Sequence, residues 1–226
     1  MGYGKIASVN ELEVEGTRMI ADDKLVELDE MMAETLSEKG FRRKKKMFYS
    51  RVQGDSVQSI ILMSTKVRGR DQYSIDAYYG IAYENIVKMV QYLQGRKHEA
   101  NKRVVQNALT NLIKGPKPYV FYIDESSDNG VIIADLMEKI ETFVEPIWRE
   151  NTSIEEFVGH LKDQTRVLGF PETEWILLSV ELLYNSESRG EVIRQNQALF
   201  DRPRNKRFME GLESRIQKYL GGEIRL

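Results

Sequence analysis

Two stretches of this 226-residue chain concentrate side chains of a single chemistry. The first is "GFRRKKKMFYSR", in which Arg42, Arg43, Lys44, Lys45 and Lys46 stand side by side with no acid among them. A little further on, "KVRGRD" adds Lys66, Arg68 and Arg70. Such a run suits a phosphate-binding patch, and Phe48, Tyr49 and Tyr73 would give bases something to stack on. The second stretch is "YIDESSDNG", where Asp124 and Glu125 follow a β-prone run. Carboxylates at the end of a strand are often placed for catalysis, and a metal-dependent hydrolase would join them to a further acid, with Asp76 the candidate.

Each stretch also has a structural reading, and in both cases it is the preferred one. Lysines on an exposed strand discourage edge-to-edge pairing, and the acidic segment before Gly40 compensates their charge. Asp128-Asn129-Gly130 are turn residues, so Asp124 and Glu125 read as part of a turn and helix cap.

Other chemistries are missing. The chain has no cysteine, which removes disulfides, thiolate metal sites and thiol nucleophiles. No Gly-rich phosphate loop and no G-x-S-x-G elbow occurs; "IKGPKPY" lacks the Lys-Ser/Thr ending. His98 and His160 are the two histidines, far apart in sequence and without a ligand motif. No cofactor is expected.

The totals set the class. Hydrophobic residues make up 41% and charged residues 30%, as in a folded soluble protein. Lys and Arg number 33 against 35 Asp and Glu, a net charge of −2, which argues against a surface built wholly for nucleic acid. No apolar run is long enough to span a bilayer and the N-terminal stretch lacks a signal-peptide core, so a cytoplasmic protein with no membrane association is the expectation.

These side chains need elements to hold them. Residues 22–39 read as a helix with Leu25, Leu28, Met32 and Leu36 on one face and Gly40 as its stop. Three strands follow, at about 41–52, 56–65 and 72–83, with the first turn at Gln53-Gly54-Asp55. The second strand is apolar on both faces and reads as central. In the first, contiguous charge on both faces cannot lie over a core, so its cationic half must project past the sheet or form an exposed edge, and the core would then begin near Met47–Phe48. Strand alternation puts Arg43, Lys45, Met47 and Tyr49 on one side and Arg42, Lys44, Lys46 and Phe48 on the other.

Residues 85–114 read as helical, broken near Gly95, with Val105, Ala108, Leu109 and Leu112 as one stripe. "YVFYI" at 119–123 reads as a fourth strand. From Gly130 onward the pattern is helical: Pro146 kinks or ends one helix, Ser153 and Glu156 form a capping box, "ETEWILLSVELLY" is a central bundle helix, and helices at 187–200 and 203–220 follow, the last stopped by Gly221-Gly222. The expectation is an α+β fold, with a small antiparallel sheet of about four strands in a core domain at 1–150 and a helical region at 151–226 docked on it.

The order "LSEKGF", a cationic strand into "FYSR", "SVQSIILMSTK" and "YSIDAYYGIA" resembles the bacterial domain of unknown function numbered 4304 over roughly residues 22–150. Similar small α+β domains occur among immunity proteins that neutralise bacterial toxins, so the resemblance implies that context, and it supplies no catalytic residues. The expected function is a non-enzymatic interaction protein, immunity-like, with an unidentified protein partner chosen by electrostatics. The partner-binding candidates are Arg42, Arg43, Lys44, Lys45, Lys46, Lys66, Arg68 and Arg70. A nucleic-acid-binding module using the same cations is the alternative, and a metal-dependent hydrolase at Asp124 and Glu125 the second alternative. Nothing in the sequence fixes an oligomeric state.

Overall fold

The computed structural model describes residues 13–96, 105–113, 115–163, 173–185 and 211–225. The fold is α+β, built on a six-stranded sheet. In chain order the first elements are α1 (Glu13–Ser37), β1 (Arg42–Lys45), β2 (Phe48–Gln53), β3 (Ser56–Lys66), β4 (Tyr73–Ala82) and α2 (Glu84–Leu93). They are followed by β5 (Val105–Ala108), β6 (Phe121–Ile123), α3 (Asn129–Lys139), α4 (Glu145–Arg149), α5 (Ile154–Asp163), α6 (Thr173–Val180) and α7 (Leu212–Leu220). The strands lie in the order β1-β2-β3-β4-β5, and β6 pairs antiparallel with β4. No helix among the described residues is long and apolar enough to cross a membrane.

The sheet has more strands than the four expected, for two reasons. The run at 41–52 is not one strand. It folds back at Lys46-Met47, and β1 pairs antiparallel with β2. The second reason lies in 105–112, where the helical spacing misleads. Val105–Ala108 is a strand and Leu109–Asn111 a single 3-10 turn, with Leu109 buried. A ladder partner was available there, and sheet pairing overrides a weak local helix preference.

Two compact units divide the chain. One takes its described residues from within 1–50, 60–78 and 108–143, the other from within 51–59, 79–107 and 144–226.

In the first unit α1 packs against α3, β1 and β6. Leu25, Leu28, Met32 and Leu36 are buried along one face, as their spacing requires. Each contributes about 2 kcal/mol by leaving water. The helix begins earlier than residue 22 and ends where expected. Gly40 takes φ 80°, its N–H donates to Ser37 O at 3.0 Å and the Phe41 N–H to Leu36 O at 3.0 Å, a paired stop that satisfies two terminal carbonyls. Asp128 caps α3 by accepting the Gly130 N–H at 2.9 Å and the Val131 N–H at 3.2 Å.

In the second unit α2 packs against α6 and α7, and α5 against α6. Gly54 takes φ 56° at the β2–β3 turn, and a Cβ there would stand 2.7 Å from Thr152 O, so only glycine fits. The capping box is complete: Glu156 accepts the Ser153 N–H at 3.1 Å while Ser153 Oγ accepts the Glu156 N–H at 3.2 Å. Pro146 lies in the first turn of α4, where its missing N–H costs nothing; the turn before it, Ile140–Val144, is a π-turn. "WILLSV" is buried at Trp175, Ile176, Leu178, Ser179 and Val180. Gly222 takes φ 75° just after α7. The helix expected at 187–200 and the start of that at 203–220 lie outside the described residues.

Candidate binding site on the basic hairpin

β1 lies at the end of the strand order, and all four of its residues are exposed. This is the wet margin that contiguous charge demands. The core begins where the charge stops, for Met47, Phe48 and Tyr49 are 5%, 3% and 0% exposed.

What fixes the fold-back is a carboxylate that sequence reading passed over. Asp29 lies on α1 among solvated acids, yet only 5% of it is exposed. Three groups of the hairpin donate to it. The Met47 N–H reaches Oδ1 at 2.8 Å, the Tyr49 hydroxyl donates to the same oxygen, and the Arg43 guanidinium reaches Oδ2 at 3.1 Å. Burial and the Asp29 carboxylate both push the Tyr49 phenol well above its usual range, so it stays a donor. Met47 takes φ 57°, the one non-glycine residue with positive φ among the described residues. The bond to Asp29 and the burial of its side chain hold it there. Only the helical spacing Leu25-Leu28-Asp29-Met32 hinted that Asp29 borders the apolar face.

The faces of β1 differ from simple alternation. Arg42 lies opposite Ser50 and Arg43 opposite Tyr49, but Lys45 lies opposite Phe48, so Lys44 is an extra residue. This bulge moves Lys45 off the side of Arg43 and onto that of Phe48. Its ammonium stands 5.7 Å from the Phe48 ring centroid. A cavity of about 360 Å3 opens between α1 and β1, lined by Val26, Asp29 and Glu30 on the helix and by Arg43 to Lys46 on the hairpin.

The predicted cations therefore fall into two groups. Arg43 is tied to Asp29, Lys45 stands over Phe48, and Lys66 pairs with Asp71 at 3.6 Å and stands 5.7 Å from the Tyr73 ring. Arg42, Lys44, Lys46, Arg68 and Arg70 are exposed, and their side chains make no ion pair among the described residues. Arg68 and Arg70 flank Gly69 (φ 75°) in the β3–β4 turn, which closes by the Val67 N–H donating to Gln72 O at 2.9 Å. Successive hairpins of a meander turn at alternate ends, so this turn and Lys46-Met47 lie at the same end of the sheet.

The base-stacking expectation is corrected. Phe48 and Tyr49 are core residues, and the Tyr73 hydroxyl donates to Asp22 Oδ1 at 2.5 Å.

The acidic stretch is a turn between β6 and α3. Asp124 Oδ1 accepts the Ser126 N–H at 3.0 Å and the Ser126 hydroxyl at 2.7 Å, and Oδ2 accepts the Gln72 amide at 3.1 Å. These donors hold the Asp124 carboxyl below its usual range, the Ser126 hydroxyl foremost. Ile123 pairs with Tyr73, so Asp124 stands near Gln72 and four positions along β4 from Asp76. Among the described residues no three His, Asp or Glu side chains gather as metal ligands do. His160 Nδ1 lies 3.1 Å from Asn151 Oδ1; His98 is outside the described residues.

No family model, curated protein or solved structure matches the chain.

Proposed function

We propose that this is a binding protein whose basic hairpin recognises an acidic surface on a protein partner. The observation that carries the reading is the pairing of a rigid base with free charge. Asp29 grips the hairpin from beneath, while Arg42, Lys44 and Lys46 stay exposed and without an ion pair among the described residues. A preorganised cation cluster loses little freedom when an anion arrives, so its charges act on partner choice and association rate. Arg68 and Arg70 extend the cluster at the same end of the sheet. The resemblance to the domain numbered 4304 makes a bacterial toxin the first protein partner to test, in an immunity-like role. Nucleic acid is the second reading; it keeps the cations as support but loses the stacking residues, of which two are buried.

The test measures binding of polyglutamate and of a single-stranded oligonucleotide by fluorescence anisotropy across a salt series. Polyglutamate binding that weakens with salt, and weakens further in the Arg42→Gln/Lys44→Gln/Lys46→Gln variant, is the expected result. An unchanged affinity in that variant sinks the site, and tighter binding of the oligonucleotide moves the function to the second reading.

A further inference from the structure

The two edges at this end of the sheet are guarded differently. β1 is short, bulged and cationic, three devices that keep stray strands from adding to it. Of these devices β3 carries only a lysine, Lys66, where it overhangs. The two-residue turn Gly54-Asp55 sets Gln53 opposite Ser56. Counting back from there places Met47 opposite Leu62, and the Leu62 N–H indeed donates to Met47 O at 2.9 Å. Beyond this pair the chain turns away into β1. β3 continues as Met63, Ser64, Thr65 and Lys66, all four exposed. On its other side this segment is still paired with β4, where the Ser74 hydroxyl donates to Thr65 O at 3.3 Å.

Backbone direction follows from the same bonds. A residue in a strand points its N–H and C=O to one side, and its neighbours point theirs to the other. Leu62 points toward β2, so Ser64 and Lys66 do too, and there no described strand lies opposite them. The result is a ledge of hydrogen-bonding groups without a strand partner among the described residues, carrying Met63, which is 51% exposed. Lys46 bounds it at one end, and Lys66, Arg68 and Arg70 at the other. Acids also stand nearby: Asp71, paired with Lys66; Asp76, which the β3–β4 register sets opposite Met63; Asp22 and Asp124, held by Tyr73 and Gln72; and Asp29 and Glu30, which line the cavity beside Lys46.

We infer that an extended acidic segment of the partner adds as a strand beside Met63–Lys66, taking up the line of β2 past the hairpin turn. The inference rests on the binding function proposed above and names how the partner is held: backbone to Ser64 and Lys66, carboxylates to the cations at both ends. A second copy of this chain is a poor occupant, because self-pairing would bring Lys46, Lys66, Arg68 and Arg70 of both copies onto one ledge, and like charges across an interface repel.

The test uses the full chain and a peptide of about eight residues alternating Glu and Thr. The peptide is expected to bind and to slow amide exchange at Ser64 and Lys66. Ser64→Pro removes one outward N–H and spares the β4 ladder, so it should keep the melting temperature and weaken binding by about tenfold. If that variant does not fold, the peptide N-methylated at its central amides serves instead, and should lose about as much against the native chain. Unchanged binding in both experiments, with loss only in the charge-neutralised variant, overturns strand addition and leaves the proposed function standing. No binding of the peptide to the native chain overturns both, as does preference for an oligonucleotide. A concentration-dependent dimer that protects Ser64 makes the ledge a self-interface and overturns the inference.

Discussion

Asp29 Oδ1 accepts the Met47 N–H at 2.8 Å, joining the middle of α1 to the tip of the β1–β2 hairpin. That bond ties a positive-φ residue to a buried carboxylate that also holds Tyr49 and Arg43. The hairpin is therefore set by a side chain on the preceding helix as well as by its own turn residues.

Removing that carboxylate should be costly. Asp29→Ala leaves the Met47 N–H, the Tyr49 hydroxyl and the Arg43 guanidinium without their acceptor, and should destabilise the fold by about 3 kcal/mol. Tyr49→Phe removes one donor and leaves two, so its cost should be nearer 1 kcal/mol. Urea unfolding of the two variants gives the order; equal losses would show that Asp29 is not the hub.

At Met47 two effects oppose each other. Glycine would relieve the φ of 57°, worth about 1 kcal/mol. It would also delete a side chain that is 5% exposed, at a cost of about 2–4 kcal/mol. Burial wins, and Met47→Gly should be destabilised by about 2 kcal/mol in thermal or urea unfolding. A gain in stability would mean that the turn is strained more than its packing is worth.

Arg51 makes a second ionic centre. Its Nη2 donates to both Glu145 oxygens at 2.9 and 2.8 Å, its Nε to Gln58 Oε1 at 2.7 Å, and its guanidinium carbon stands 5.2 Å from the Trp148 ring centroid. Arg51→Ala strands a carboxylate whose side chain is 17% exposed and should cost about 3 kcal/mol. The pair Arg51→Met/Glu145→Leu should recover most of that loss, because it removes both charges from a poorly hydrated place. Chemical denaturation of single and double variants measures the coupling.

The alkaline limb of stability should belong to tyrosines. Burial, the largest cause in each case, raises the phenols of Tyr49, Tyr83 and Tyr119, with Asp29 and Asp135 adding to it at the first and last. A raised native pKa means the folded chain holds its protons longer than the unfolded one. The stability from these groups is thus complete below about pH 10 and falls as pH climbs toward their native values. An ultraviolet phenolate titration should find them un-ionised at about pH 11 until the chain unfolds. Tyr49→Phe should flatten the alkaline decline.

Below the usual carboxylate range the sign reverses. The Ser153 N–H, followed by the Thr152 hydroxyl, lowers the Glu156 carboxyl. Its contribution is present above the unfolded pKa and is lost as pH falls through the native one. Glu156→Gln should therefore reduce the acid-side slope of stability, and the melting temperature followed on descent through about pH 4 tests this.

Local rules made much of the fold readable in the sequence. Gly40 and Gly54 marked a helix stop and a hairpin turn because each needs positive φ. Ser153-x-x-Glu156 marked a helix start, and the apolar spacing of Leu25, Leu28, Met32 and Leu36 marked the buried face of α1. The exposure of Arg42–Lys45 followed from the cost of burying charge, and so did the start of the core at Met47. In all these cases the cause lies within a few residues of its effect.

Tertiary structure decided what depends on distant partners. Met47 is an unpromising turn residue, and the bond to Asp29, 18 positions away, together with the burial of its side chain makes it one. Val105–Ala108 became a strand because β4 had an edge to offer, and the bulge at Lys44 came from fitting β1 to β2. The same register sets how far β3 runs past its neighbour, and so leaves Ser64 and Lys66 with no described strand opposite them. Periodicity records which side of an element is wet; it does not record which backbone groups find a partner, because that depends on how segments far apart in the chain align.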